Sequence, residues 1–290
     1  MGKELKEVPC NLCQSSKTTL FLKVSHFNLV RCCNCGLVYL NPRPPEKEIK
    51  KFYLKDYLRE GMEIRGKSVE YSEYLENENL RFSLAIKRLK RMEKFKIPGR
   101  LLDVGCATGI FLKAARERGW ETWGVEINPV MAEYGKRKYG INIFCGELYQ
   151  ANYPQRFFDV VTCWHVLEHL PHPRETLEEI NRVLKSGGLL AIETPNLESP
   201  WTKWKGASWT YFTPPEHLYY FSTSTLCRLV KETGFKVREI RCKKENLPWF
   251  FPYGKRKILP QLKHLFKKIL DSSLEMMGQG DFIEMIAEKG

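Results

Sequence analysis

The stretch Leu101-Leu102-Asp103-Val104-Gly105-Cys106-Ala107-Thr108-Gly109 decides how this chain is read. An apolar strand runs into a glycine turn and then into a helix over 109–118. Such a turn gathers backbone N–H groups and a helix N-terminus around a bound group, with glycine where the backbone bends tightly or comes close. The next strand, 121–125, leads to Glu126, which stands 21 residues after Gly105, a separation at which a carboxylate can take two ribose hydroxyls. A nucleotide-type pocket follows, but not the dinucleotide pattern. The three glycine positions of that pattern hold Gly105, Ala107 and Ile110, and isoleucine at the third blocks close helix–strand packing.

The spacing Asp103-x-Gly105-x-x-x-Gly109 resembles motif I of the class I S-adenosylmethionine-dependent methyltransferases, with Ala107 where that family usually has another glycine. Phe157-Phe158-Asp159-Val160-Val161-Thr162-Cys163, followed by Trp164-His165-Val166-Leu167-Glu168-His169, resembles the same family. The likeness covers residues 98–242 and the last strand. It implies S-adenosylmethionine as cofactor, with Asp103 holding the turn and approaching the methionine end and Glu126 on the ribose. Cys145-Gly146-Glu147-Leu148 falls where that family contacts adenine, which makes Glu147 the partner of the exocyclic amine; a solvated loop acid is the other reading. The remaining residues the resemblance assigns to the cofactor are Gly105, Cys106, Ala107, Gly109, Ile127, Leu148 and Trp164.

From Arg100 onward strands and helices alternate. Strands are predicted at 100–104, 121–125, 141–145, 157–163, 188–193, 236–241 and 281–287, and helices at 109–118, 129–138, 173–184 and 222–233. Alternation with short connections gives an α/β fold with a mostly parallel sheet covered on both faces. Gly187-Gly188 is expected to close a helix and open a strand. The resemblance makes the sheet seven-stranded and Rossmann-like, with the last strand antiparallel.

Near the N-terminus, Cys10-x-x-Cys13 and Cys32-x-x-Cys35 are separated by 18 residues. Two such knuckles supply four thiolates for tetrahedral zinc. Gly36 follows the second pair, and Cys33 is a bystander. A segment this small has too little core to fold unaided, so a structural zinc ribbon is expected over 1–45. The run Cys32 to Pro44 resembles the zinc-binding leader of many bacterial small-molecule methyltransferases. Residues 46–97 read as a helical linker and cofactor lid, with a helix over 71–95 and a polar stretch over 56–68; the methyltransferase domain spans 98–290.

His165, Glu168 and His169 are spaced to share one helix face, after the fourth core strand. His217, in Pro215-Glu216-His217-Leu218, falls where the resembled family walls its acceptor site. Three readings stay open. A histidine can be the general base for an acceptor proton. The cluster His165/Glu168/His169 can hold a second divalent metal, His165 replacing the first acid of the Glu-x-x-Glu-His motif of ubiquinone-pathway and small-RNA methyltransferases, which favours a nitrogen-loving ion over magnesium. Or the residues only brace the strand ends. His165-x-x-Glu168-His169 also spells a metalloprotease motif, which ignores the glycine turn and Glu126.

The chain has 290 residues, 43% of them hydrophobic, and a net charge of +13. Its composition is globular, and no apolar run reaches the roughly 18 residues that span a bilayer. Residues 1–7 lack a signal core, so a cytoplasmic protein is expected. The positive charge suits anionic partners: nucleic acid, phosphorylated metabolites or an acidic membrane face. Aromatics crowd 201–221, where they could line an acceptor pocket, with Lys203 and Lys205 among them. An insertion over 243–279 carries aromatics and a basic amphipathic helix, and its part 248–270 could meet an anionic membrane surface, peripheral to the inner membrane face, or pack on protein.

These readings converge on S-adenosylmethionine-dependent methyl transfer to a small-molecule acceptor: a sugar, a quinone-like ring or a lipid-linked intermediate, at oxygen or carbon. An RNA methyltransferase is the first alternative. A zinc-ribbon, cofactor-binding protein without activity is the second.

Overall fold

The computed structural model describes residues 5–59, 62–63, 68–69, 77–243 and 280–290. The insertion expected over 243–279, with its membrane-facing part 248–270, lies outside the described residues beyond Lys243, as do residues 71–76 of the expected helix and part of the polar stretch 56–68. Among the described residues no helix is long and apolar enough to cross a membrane.

The N-terminal strands β1 (Thr18–Val24), β2 (Phe27–Cys32) and β3 (Val38–Leu40) form an antiparallel sheet. Helix α1 (Glu46–Arg59), the short pair β4 (Met62–Glu63) and β5 (Ser68–Val69), and α2 (Glu78–Met92) follow. The core then runs β6 (Arg100–Val104), α3 (Ile110–Arg116), β7 (Glu121–Glu126), α4 (Pro129–Tyr139), β8 (Asn142–Cys145), β9 (Phe158–Trp164), α5 (Pro173–Val183) and β10 (Leu184–Pro195). It closes with α6 (Pro200–Lys205), β11 (Tyr219–Tyr220), α7 (Thr223–Glu232), β12 (Phe235–Lys243) and β13 (Phe282–Lys289).

Seven strands build the main sheet in the order β12-β13-β10-β9-β6-β7-β8. β13 is antiparallel to both neighbours, and β10, β9, β6, β7 and β8 pair in parallel. The parallel part is the sheet expected from the alternation of strands and helices, and the antiparallel last strand is what the family resemblance implies. Its strands are buried on both faces, as Leu101, Leu102, Val160, Val161, Leu190 and Ile192 show, each fully buried.

Three local expectations are corrected. Gly187-Gly188 does not end a helix. α5 stops at Val183, β10 starts at once, and Gly187 (φ +67°) sits in a bulge where the register with β9 slips between Leu184 and Leu189. The buried stripe of α2 runs through Ala85, Leu89 and Met92 with Phe82 and Ile86 beside it, while Leu80 faces solvent. This stripe packs on α3 rather than over the cofactor side, and α1 takes the roofing position instead. Third, β9 ends at Trp164 and residues 165–169 form a turn, not a helix.

The N-terminal sheet also has a fourth strand that the linear sequence does not announce. β11 pairs antiparallel with β3, Tyr219 opposite Tyr39 and Tyr220 opposite Val38. The aromatic run around it is core. Trp209, Tyr211, Phe212, Tyr219, Tyr220 and Phe221 are buried against one another and against the N-terminal strands. None of them lines the cavity described below, whereas Trp204 is 75% exposed.

Candidate active site

A cavity of about 570 Å³ opens at the carboxyl ends of β6, β7, β8 and β9, where α/β sheets bind ligands. α1 roofs it with Ile49, Lys50 and Tyr53, and α5 flanks it with Glu175, Thr176 and Glu179. Of the residues assigned to a cofactor, Gly105, Ala107, Glu126, Ile127, Glu147 and Leu148 line it. Asp103, Cys106, Gly109 and Trp164 do not.

The glycine turn is built by hydrogen bonds from Gly105 and Cys106 N–H to the Val125 carbonyl (2.8 and 3.1 Å). Gly105 has φ +70°, and a Cβ there would lie 2.4 Å from Val166 Cγ2. Ala107, at the usual third glycine, also has positive φ (+48°), and its N–H donates to Glu126 Oε2 at 2.8 Å. Glu126 Oε1 accepts from Asn128 N at 2.8 Å. Burial raises the Glu126 carboxyl above its usual range, against the N–H donors of Asn128 and Ala107. Each carboxylate oxygen keeps a second lone pair, which suits two hydroxyls. Glu147 accepts from Lys50 Nζ (2.7 Å) and Tyr149 OH (2.6 Å) at the cavity edge.

Asp103 turns from the cavity into the sheet, where its Oδ1 accepts from Thr162 Oγ1 at 2.6 Å. It ties β6 to β9 and does not line the cavity. Burial pushes its carboxyl up to about 7, Glu126 adds to this, and Thr162 and Arg88 oppose it. The folded protein therefore favours protonated Asp103 more than the unfolded chain does. The stability this residue contributes is present at low pH and is lost as pH rises from its ordinary value near 4 through about 7. Asp103→Asn is expected to lose less stability than the parent between pH 4.5 and 7.5, so the difference in unfolding temperature should shift in the variant's favour across that window; thermal unfolding of both proteins at stepped pH checks this.

His165 and His169 form the floor of the cavity, whereas Glu168 and His217, also expected at the reaction centre, are buried and do not line it. His165 (φ +55°) follows β9 and extends its ladder, its N–H donating to the Glu193 carbonyl at 2.8 Å. Its ring turns to Glu193, Nε2 to Oε1 being 2.9 Å, and its Nδ1 lies 3.6 Å from Glu168 Oε1. Glu193 is fully buried and also pairs with Arg88 (2.8 Å) and Lys243 (2.8 Å), which hold it well below the usual range although burial alone would raise it. Glu168 Oε2 accepts from Thr194 Oγ1 at 2.9 Å, and its Oε1 has no hydrogen-bond partner among the described residues. Burial works to raise Glu168, but the His165 and His169 imidazoles outweigh it and draw the carboxyl down to about 2.

The metal expectation is corrected here. The ligand atoms that converge, all within 4.8 Å, belong to Glu168, His169 and His217. His165 stands outside this group because its backbone leaves β9 in the left-handed region and its ring goes to Glu193. His217 comes instead, from the segment before β11. Its Nδ1 donates to the Tyr211 carbonyl at 2.8 Å, so its Nε2 carries the lone pair. Burial, then His169, pulls this imidazole down to about 3. The four cysteine sulfurs of Cys10, Cys13, Cys32 and Cys35 likewise lie within 4.8 Å of one another and form no disulfide.

Sequence reasoning missed Tyr53, Asn128 and Glu193. Glu193 had a signal, an acid inside the apolar run Leu189 to Pro195. Tyr53 carried only its helical spacing from Ile49.

Residues 74–240, more than half of the chain, match a family described as a methyltransferase domain. A ubiquinone biosynthesis O-methyltransferase of Saccharophagus degradans is 35% identical over 104 residues, which cover 33% of this chain and 44% of that protein. A ubiquinone biosynthesis O-methyltransferase of Leptothrix cholodnii is 28% identical over 49% of this chain and 66% of its own length. The chain thus spans about half the length of the curated relatives it matches. Among solved structures, a SAM-dependent methyltransferase from Archaeoglobus fulgidus aligns with TM-score 0.54 at 25% identity, covering 76% of this chain and 100% of that one.

Proposed function

The chain belongs to the class I S-adenosylmethionine-dependent methyltransferases, and from that membership we propose that its cavity transfers a methyl group to the oxygen of a small-molecule acceptor. The observation that carries this reading is a single cavity wall that joins the Glu126-bonded turn to a histidine backed by a buried carboxylate. Glu126 would hold the ribose hydroxyls, and Ile127, Leu148 and Glu147 would line the adenine. Bound there, S-adenosylmethionine would supply an electrophilic methyl group to the acceptor oxygen, with S-adenosylhomocysteine as the by-product.

The acceptor proton goes to His165. Glu193, ionised, can only accept, so it holds the Nε2 proton and leaves Nδ1 as the basic nitrogen. His165→Gln is expected to lower transfer of labelled methyl into a small-molecule extract by about 10²-fold or more, with S-adenosylhomocysteine affinity kept. Full transfer by this variant would remove His165 as the base. An RNA fraction run alongside tests the acceptor class, and labelling there alone would overturn the small-molecule reading.

Two metals fit the residues present. The four cysteine sulfurs include contacts of 3.4 and 3.5 Å, near the tetrahedral edge of about 3.8 Å that zinc–sulfur bonds of about 2.3 Å require. They would hold a structural zinc. Glu168 Oε1, buried without a hydrogen-bond partner, together with His169 and His217, would hold a second divalent ion, and two nitrogens with one oxygen suit a transition metal better than magnesium. Such an ion supplies Lewis acidity that lowers the pKa of a nearby hydroxyl.

A further inference from the structure

We infer that Tyr53 is a positioning residue that ties His169 to the cofactor side of the cavity. The inference rests on the cofactor reading of Glu126 given above. Tyr53 sits on the roofing helix α1, and its hydroxyl reaches the floor. Its Oη lies 2.9 Å from His169 Nδ1 and donates to the Glu216 carbonyl at 3.1 Å. His169 Nδ1 is 3.0 Å from the same carbonyl, and the two rings meet edge-on at 5.9 Å.

This triangle fixes the proton on the imidazole. A carbonyl only accepts, so a bare Nδ1 would set two acceptors against each other at 3.0 Å. With the proton on Nδ1 and the Tyr53 hydroxyl on the carbonyl, every contact is a donor facing an acceptor. His169 Nε2 then keeps its lone pair for the group it forms with Glu168 and His217.

The other end of Tyr53 is held as well. Its backbone carbonyl accepts from Asn128 Nδ2 at 2.8 Å. Asn128 caps α4, its Oδ1 accepting from Val130 and Met131 N–H, and its own N–H donates to Glu126 Oε1. One turn before Tyr53, Lys50 donates to Glu147. The path from the ribose-binding carboxylate to the floor imidazole therefore passes through two residues, Asn128 and Tyr53. A ligand seated on Glu126 loads a carboxylate already bonded to Asn128, and any adjustment there reaches His169 through Tyr53.

The test uses the full chain labelled with ¹⁵N at histidine, because six histidines give a ring spectrum that can be assigned. His169→Gln identifies the His169 signals. Tyr53→Phe removes the hydroxyl. Asn128→Ser removes the bond to the Tyr53 carbonyl while serine still caps the helix. Both variants are expected to shift the His169 ring nitrogens, although none of Asn128's hydrogen bonds goes to a histidine. The double variant is expected to shift them no further than Tyr53→Phe alone, since the two changes cut one path. Saturating S-adenosylhomocysteine is expected to move His169 in the parent and by less than half as much in Tyr53→Phe. The inference is overturned if folded Asn128→Ser leaves His169 at the parental position, or if it moves all six histidines alike. Absence of S-adenosylhomocysteine binding to the parent in calorimetry would remove the cofactor reading, and this inference's premise with it; the unliganded shifts tell that failure from a failure of the Tyr53 path.

Discussion

Gly105→Ala is expected to weaken S-adenosylhomocysteine binding by about 100-fold or more and to lower the unfolding temperature by several degrees. Two costs act together. The backbone at residue 105 has φ +70°, a conformation that costs an alanine roughly 1–2 kcal/mol. The added methyl would also lie 2.4 Å from Val166 Cγ2, and overpacking of this kind costs roughly 1–3 kcal/mol. Val166 cannot step aside cheaply. It is β-branched, it lines the cavity, and its carbonyl accepts from His169 N–H at 2.9 Å. Relief must come from the turn itself, which also carries the Ala107 N–H held by Glu126. Calorimetry with S-adenosylhomocysteine checks the affinity. Gly119→Ala is the control, because Gly119 has φ +88° with no neighbour nearer than 3.9 Å, so it should lose stability and keep binding. Unchanged affinity in Gly105→Ala would mean that the ligand does not use this turn.

Cys32→Ser is expected to lower the unfolding temperature by about 10 °C or more and to strip one metal ion from the protein. Cys32 is buried, and its sulfur stands 3.5 Å from that of Cys13. It also ends β2, whose neighbour β3 pairs with β11. Loss of the cysteine centre thus reaches past residues 1–45. The strand it loosens begins two residues after His217, and Leu218 and Tyr219 N–H donate to the Glu168 carbonyl. Metal analysis and scanning calorimetry measure both effects. Cys33→Ser, at an exposed position outside the cluster, should change neither.

What was legible in the sequence was local. Strands β6, β7 and β9 could be placed within a residue or so because short apolar runs end at turn residues, and the glycine turn reads from its own spacing. Glu126 was legible because its role follows from a fixed distance along one βαβ unit. The histidine floor was half legible. The spacing of His165, Glu168 and His169 suits a helix face equally well as a turn, and the choice was made by a partner in another strand: Glu193, whose carbonyl extends the ladder to His165. His217 enters the cluster because the chain returns to β3, and no local pattern encodes that return. Tyr53 was silent for the same reason, since its partners Asn128, His169 and Glu216 are remote in sequence.

The pairing of β3 with β11 has a consequence for how the chain matures. The cysteine-bearing segment leaves the ribosome long before β11, and the edge of β3 stays unfilled until residues 219–220 have been made. Until then that edge offers free backbone donors and acceptors to any passing strand. A message truncated before β11 would leave a product with this edge bare, prone to stick to its own kind, however well its thiols had gathered a metal.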